Sequence, residues 1–187
     1  MKTTSINHFE TLKILLEEEH SKRQSDLIIE FIGNDPQKLN TLAKHFLGDE
    51  YRLAQRAAMP FGNIARTNAK WVEPYLKDAI LKINSSSVHD AIIRNTIRIL
   101  SEIDIPEDIE GITLDLCFQQ LENPKTAIAI KVFAMTVIFN LSAKYPEIKP
   151  ELKLLIEMQL PNGSAGFISR GKKILKKLDQ KLKPKRR

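Results

Sequence analysis

The sequence has little of what turns a chain sharply or ties it covalently. Seven glycines in 187 residues is about half the ordinary usage. Alternating apolar and polar runs are also missing, which excludes doubly wound sheets and β-sandwiches. A single cysteine, Cys117, excludes an internal disulfide framework and fits a reducing compartment. The first twenty residues, MKTTSINHFETLKILLEEEH, lack the basic-then-apolar run of a signal peptide, so a cytoplasmic protein is expected. Residues 126–143, TAIAIKVFAMTVIFNLSA, are the most apolar stretch, but they carry Lys131 and Asn140. They fall short of the roughly 20 apolar residues of a membrane span and are expected to form a buried helix.

Metal and nucleophile chemistry is equally thin. His8, His20, His45 and His89 lie far apart with no i, i+4 pair, so no metal is expected. Cys117 shares its helical face with Leu114 and Leu121 and reads as a small core residue. Gly166 to Lys172 fills the first seven positions of a P-loop, but Lys173 stands where the magnesium-binding Ser or Thr belongs. A helical pattern precedes it where a strand is required. No cofactor is expected.

The 42% apolar and 28% charged content is that of a globular chain, not a disordered one. Charge is unevenly spread. Between Arg170 and Arg187 there are ten Lys or Arg against one acid, Asp179, so the overall +6 leaves residues 1–169 at −3. The basic character belongs to the C-terminal end.

Apolar residues recur three or four apart along nearly the whole chain, predicting helices at about 6–19 and 22–32. Gly33-Asn34-Asp35-Pro36 stops the second and opens a third. A repeat follows. Asn84, Asn123 and Asn162 are spaced by 39 and 39, each closing a helix. Arg56, Arg94, Lys131 and Arg170 are spaced by 38, 37 and 39, each in the first half of the next helix. Pro74, Pro106, Pro146 and Pro150 fall near the starts of alternate helices. Two helices per period near 38 indicate a helical solenoid. Four pairs are expected: 36–47 with 50–67, 71–83 with 87–103, 107–122 with 125–144, and 147–160 with 164–182. Residues 1–35 form N-terminal cap helices. The domain organisation is thus one solenoid over 1–182, with 183–187 as a basic tail.

The pattern resembles HEAT repeats: a helix, a short Asn/Asp turn, then a second helix opening on aliphatic-Arg-x-x-Ala. The openings here are Gln55-Arg56-Ala57-Ala58, Ile93-Arg94-Asn95-Thr96, Ile130-Lys131-Val132-Phe133-Ala134 and Ser169-Arg170-Gly171-Lys172. The resemblance covers roughly residues 36–182. It implies an all-α, right-handed α/α superhelix of HEAT-like pairs with about ten helices. It also implies that the basic ladder bonds turn acceptors and staples repeats. Alternatively, the ladder lines a concave face and attracts anions. Non-catalytic docking of a protein or peptide follows from the resemblance, on a concave surface of second helices with Arg52, Gln55, Arg98 and Lys131 as exposed candidates.

Stretches such as VHDAIIRNTIRILSEIDIPEDIEG also look like an uncharacterised group of bacterial HEAT-like proteins that sometimes bear the name adenylosuccinate lyase. The residues do not support that activity. The lyase loop reads Ser-Ser-x-Met-Pro-x-Lys-x-Asn, and the nearest string here, Ala57 to Asn63, has no serine and no lysine.

A nucleic-acid-binding module is the alternative, similar to the HEAT-like DNA alkylation repair glycosylases. Trp71, Tyr75 and Asp78 lie near one another on a helix, and Lys172, Lys173, Lys176 and Lys177 cover the polar face of the last helix. That face is either the solvated outside of a capping helix or an electrostatic footprint.

Overall fold

The computed structural model describes residues 7–85 and 88–180, and among them every regular element is helical. The basic tail at 183–187, and the end of the last helix to 182, lie outside the described residues.

The residues divide into two compact units between Ile103 and Asp104. The N-terminal unit holds α1 (His8–Glu18), α2 (Lys22–Ile32), α3 (Pro36–Phe46), α4 (Tyr51–Thr67), α5 (Ala69–Ser85) and α6 (Asp90–Glu102). The C-terminal unit holds α7 (Glu107–Glu122), α8 (Ile128–Leu141), a 3₁₀ turn at Pro146–Ile148, α9 (Lys149–Gln159) and α10 (Ala165–Asp179). The grouping follows from two central helices: α4 packs on α1, α2, α3, α5 and α6, whereas α8 packs on α7, α9 and α10.

Helix ends follow local chemistry. Asn7, Ser21 and Ser164 accept from the backbone N–H of Phe9, Gln24 and Phe167 at 3.2, 3.1 and 3.4 Å. Asp35 accepts from Gln37 and Lys38 at 2.8 and 3.3 Å, ahead of Pro36 at the first position of α3. Each satisfies an amide the helix itself leaves without a partner. Gly33 ends α2 at φ +52°, where a side chain would be strained.

One boundary differs from the pattern. Helix α5 begins at Ala69, not 71, so Pro74 lies in its interior. Asn68 closes α4 through its N–H to Ile64 O at 2.9 Å, and its carbonyl accepts from Trp71 N–H at 3.2 Å. One residue therefore joins the two helices.

The core of the N-terminal unit centres on α4. Phe61 and Phe46 are fully buried and stack at 4.7 Å between ring centroids. Gly62 is buried and faces Asn95 of α6, whose Oδ1 would lie in ordinary contact, at 3.7 Å, with a Cβ there.

His45 is buried in this unit. Its ring stacks on Phe9 at 4.2 Å, and Nε2 donates to the Phe9 carbonyl at 3.3 Å. Burial pulls its pKa below the ordinary imidazole value, and the bond to Phe9 offsets only part of this. The folded state thus takes up a proton less readily than the unfolded chain. His45 contributes its full share above about pH 6.5 and loses it as pH falls through the lower folded value. The melting midpoint is expected to drop between pH 7 and pH 5. In His45→Gln that drop shrinks, as differential scanning calorimetry at a series of pH values will read.

Candidate functional site

The helix stack leaves the last carbonyls of each helix without intrahelical donors, and long side chains from later helices supply them. Arg56 Nη1 on α4 donates to Leu16 O near the end of α1 at 2.8 Å, across 40 residues. Lys82 Nζ on α5 donates to Leu47 O at 2.6 Å and Gly48 O at 2.9 Å, across 35 and 34 residues. Gln159 Nε2 on α9 donates to Leu121 O of α7 at 3.0 Å, across 38 residues. Lys82 and Gln159 escape a reading that looks only at second helices. Lys82 and Gln159 lie 77 residues apart, about two repeat periods.

The four ladder positions differ in their surroundings. Arg56 makes the bond just given. Lys131 is buried and donates to Gln159 Oε1 at 2.6 Å, and burial lowers its pKa. Arg94 and Arg170 are exposed. Arg56→Met, which keeps the stem and removes the donor, is expected to destabilise by about 1–3 kcal/mol by stranding a partly buried carbonyl. Urea unfolding measures it, and a loss under about 0.5 kcal/mol would mean that water replaces the guanidinium.

The docking candidates are also unequal. Arg52 is exposed and Gln55 half-buried. Arg98 pairs with Glu102 one turn on, at 3.2 Å, and Arg66 shares that carboxylate at 3.7 Å. Trp71 and Tyr75 are half-buried, while Asp78 is exposed. The Tyr75 ring packs edge-on against Phe61 at 6.1 Å, and burial raises its pKa. Lys172, Lys173, Lys176 and Lys177 are exposed on α10, in the other unit.

Several motifs resolve into plain structure. Residues 166–172 lie inside α10, which α9 precedes, so no strand leads into a phosphate-binding loop. Residues 57–63 lie inside α4, with Ala57, Ala58 and Phe61 in the core. Cys117 is fully buried, and burial pushes its thiol pKa far up, away from a nucleophilic thiolate. Among the described residues, no three His, Cys, Asp or Glu side chains cluster as a metal site would need. No described helix is long and apolar enough to cross a membrane.

Within the C-terminal unit, the α7–α8 and α9–α10 turns enclose a groove of about 400 Å³. Pro124, Ile128, Leu155, Met158 and Phe167 supply its apolar wall, with Glu122, Lys131 and Gln159 also lining it. Ile128 and Met158 are 43% and 68% exposed, so the groove has an apolar rim open to solvent.

Residues 12–178 match the model of the HEAT repeat domain. No curated protein and no solved structure matches the chain. With paired helices recurring at the repeat period and a match over nearly all its length, the chain belongs to the HEAT repeat domain family.

Proposed function

We propose that the protein is a non-catalytic scaffold that docks a peptide segment of a partner protein. The groove between the α7–α8 and α9–α10 turns carries this reading. It pairs an exposed apolar rim, Ile128 and Met158, with the buried ammonium of Lys131. An ammonium has three donors, and Gln159 takes one. The groove therefore suits an apolar side chain set beside a backbone carbonyl, the usual division of labour in a ligand pocket. In the N-terminal unit, Arg52 and Gln55 on α4 are left as separate docking candidates, while Arg98 is engaged by Glu102.

Selection of a displayed random-peptide library on the full chain tests this. Enriched peptides are expected to share an apolar anchor next to an acceptor and to weaken at least ten-fold on Met158→Lys with Ile128→Lys. Peptides that bind this double variant as tightly as wild type would remove the groove from the proposal.

A further inference from the structure

A second recess on the C-terminal unit has a different chemistry. It runs between α8 and α10 as two adjoining cavities of about 380 and 630 Å³ that share Phe139, Asn140, Lys177 and Gln180. Arg170, Lys173, Lys176 and Lys177 line it from α10, and Lys149 lines it from the start of α9. None of its lining residues is acidic. Several other cations in this chain are paired with acids: Lys82 with Asp49, Arg98 with Glu102, Lys144 with Glu107 and Glu110, Lys153 with Asp179. Among the described residues, no ion pair includes any of the five cations of the recess.

The fold makes this face on purpose of packing alone. Phe167, Gly171 and Ile174 form the buried stripe of α10, and a Cβ on Gly171 would stand 2.9 Å from Ile156 Cγ2 of α9. That close approach fixes the rotation of α10. Arg170, Lys173 and Lys177, spaced i, i+3, i+7, are thereby left in one row about 10 Å long.

We infer that this recess is a binding site for single-stranded nucleic acid, separate from the peptide groove. Charge calls for a polyanion, and the aromatic ring selects among polyanions. Phe139 lies within the recess, and Lys177 Nζ stands 5.4 Å from its ring centroid. Bases stack on an aromatic face while phosphates meet the cations beside it. A carboxylate gains nothing there, because the ring face is itself negative. A lipid surface lacks its anchor: among the described residues, the exposed large apolar ones are Phe9, Ile14, Leu27, Tyr51, Leu81, Ile128, Leu154 and Met158, none of them on α10. A duplex offers backbone charge but no free base for the ring.

Fluorescence anisotropy of the full chain with a labelled oligouridine of about 12 nucleotides tests this, over a series of salt concentrations. Lys173→Glu with Lys177→Glu is expected to weaken binding at least ten-fold and to flatten the salt slope by about 1.4, the share of two phosphate contacts. Lys22→Glu with Lys70→Glu, the same charge change on exposed residues of the N-terminal unit, is expected to change affinity less than three-fold. Phe139→Leu is expected to weaken binding about ten-fold with the salt slope unchanged. Photocrosslinking of a 5-bromouridine oligomer to wild-type protein is expected to mark the peptide containing Phe139, and this readout needs no variant to fold. Equal loss in both charge-reversal pairs would overturn the inference. So would duplex DNA, polyglutamate or phosphatidylserine vesicles binding as tightly as the single strand, or crosslinks elsewhere alone.

Discussion

Phe61→Ala is expected to cost about 3–5 kcal/mol, the range for a fully buried phenylalanine, and to lower the melting midpoint by roughly 10 °C. Phe61 is completely buried on α4. It stacks on Phe46 of α3 at 4.7 Å and meets Tyr75 of α5 edge-on at 6.1 Å. One ring therefore touches both helices that flank α4 in sequence. Its removal leaves a cavity that Pro60 and Gly62, buried on either side, have no side-chain freedom to fill. Phe9→Ala is the matched control, since Phe9 is 43% exposed and its loss removes little buried area. Double substitution of Phe46 and Phe61 is expected to be less damaging than the sum, because the stacking contact is lost once. A Phe61→Ala loss under about 1 kcal/mol would show that the site collapses freely.

Glu110→Ala is expected to destabilise the C-terminal unit by roughly 2–3 kcal/mol, the scale of hydrogen bonds to a charged group. Glu110 lies in the first turn of α7 and is buried. Its Oε2 accepts from Lys144 Nζ at 2.8 Å and from Tyr145 Oη at 2.5 Å. Both donors follow α8, so the carboxylate ties the start of α7 to the segment after its partner helix. Alanine strands Tyr145 and leaves Lys144 with Glu107 at 3.4 Å. The bonds from Lys144, then from Tyr145, hold the Glu110 carboxyl below the usual carboxylate range. The sign follows: the folded state releases this proton more readily than the unfolded chain, so the stabilisation is complete above about pH 4.5. It is lost as pH falls through the lower folded value. Glu110→Gln keeps an acceptor for Tyr145 and is expected to remove this acid-limb dependence while costing less than alanine. Thermal unfolding between pH 3 and pH 7 separates the two variants, and an unchanged acid limb in Glu110→Gln would place the titration elsewhere.

The helices were legible because their ends carry their own chemistry. Gly33, Asp35 and Pro36 stop α2 and start α3 whatever packs on them, and Asn123 and Asn162 follow α7 and α9 one period apart. The start of α5 was less legible because Asn68 serves two helices at once, leaving no separate turn. The gathering of helices around two centres was not legible. It arises from α4 and α8 each gathering neighbours, which is a matter of contacts between distant residues. Side-chain burial was the weakest inference. Arg56, Arg94, Lys131 and Arg170 occupy one register in the sequence, yet one bonds a carbonyl, one is buried and two are exposed. The partner groups decide this, and their positions are set by the fold. The recess between α8 and α10 was half legible: its lysines stand out as charge, but nothing local brings Phe139 of α8 beside them.

Arg56 and Gln159 reach main-chain carbonyls on neighbouring helices, Leu16 and Leu121, and Lys82 reaches those of Leu47 and Gly48 besides the Asp49 carboxylate. A main-chain oxygen is present whichever residue occupies the position. Helix-terminal sequences can therefore drift from repeat to repeat while the bonds between repeats persist, provided the donor stays and the carbonyl keeps its place. Only one side of each bond is written in the genetic text, so such repeats can diverge until they share a period and almost no residues.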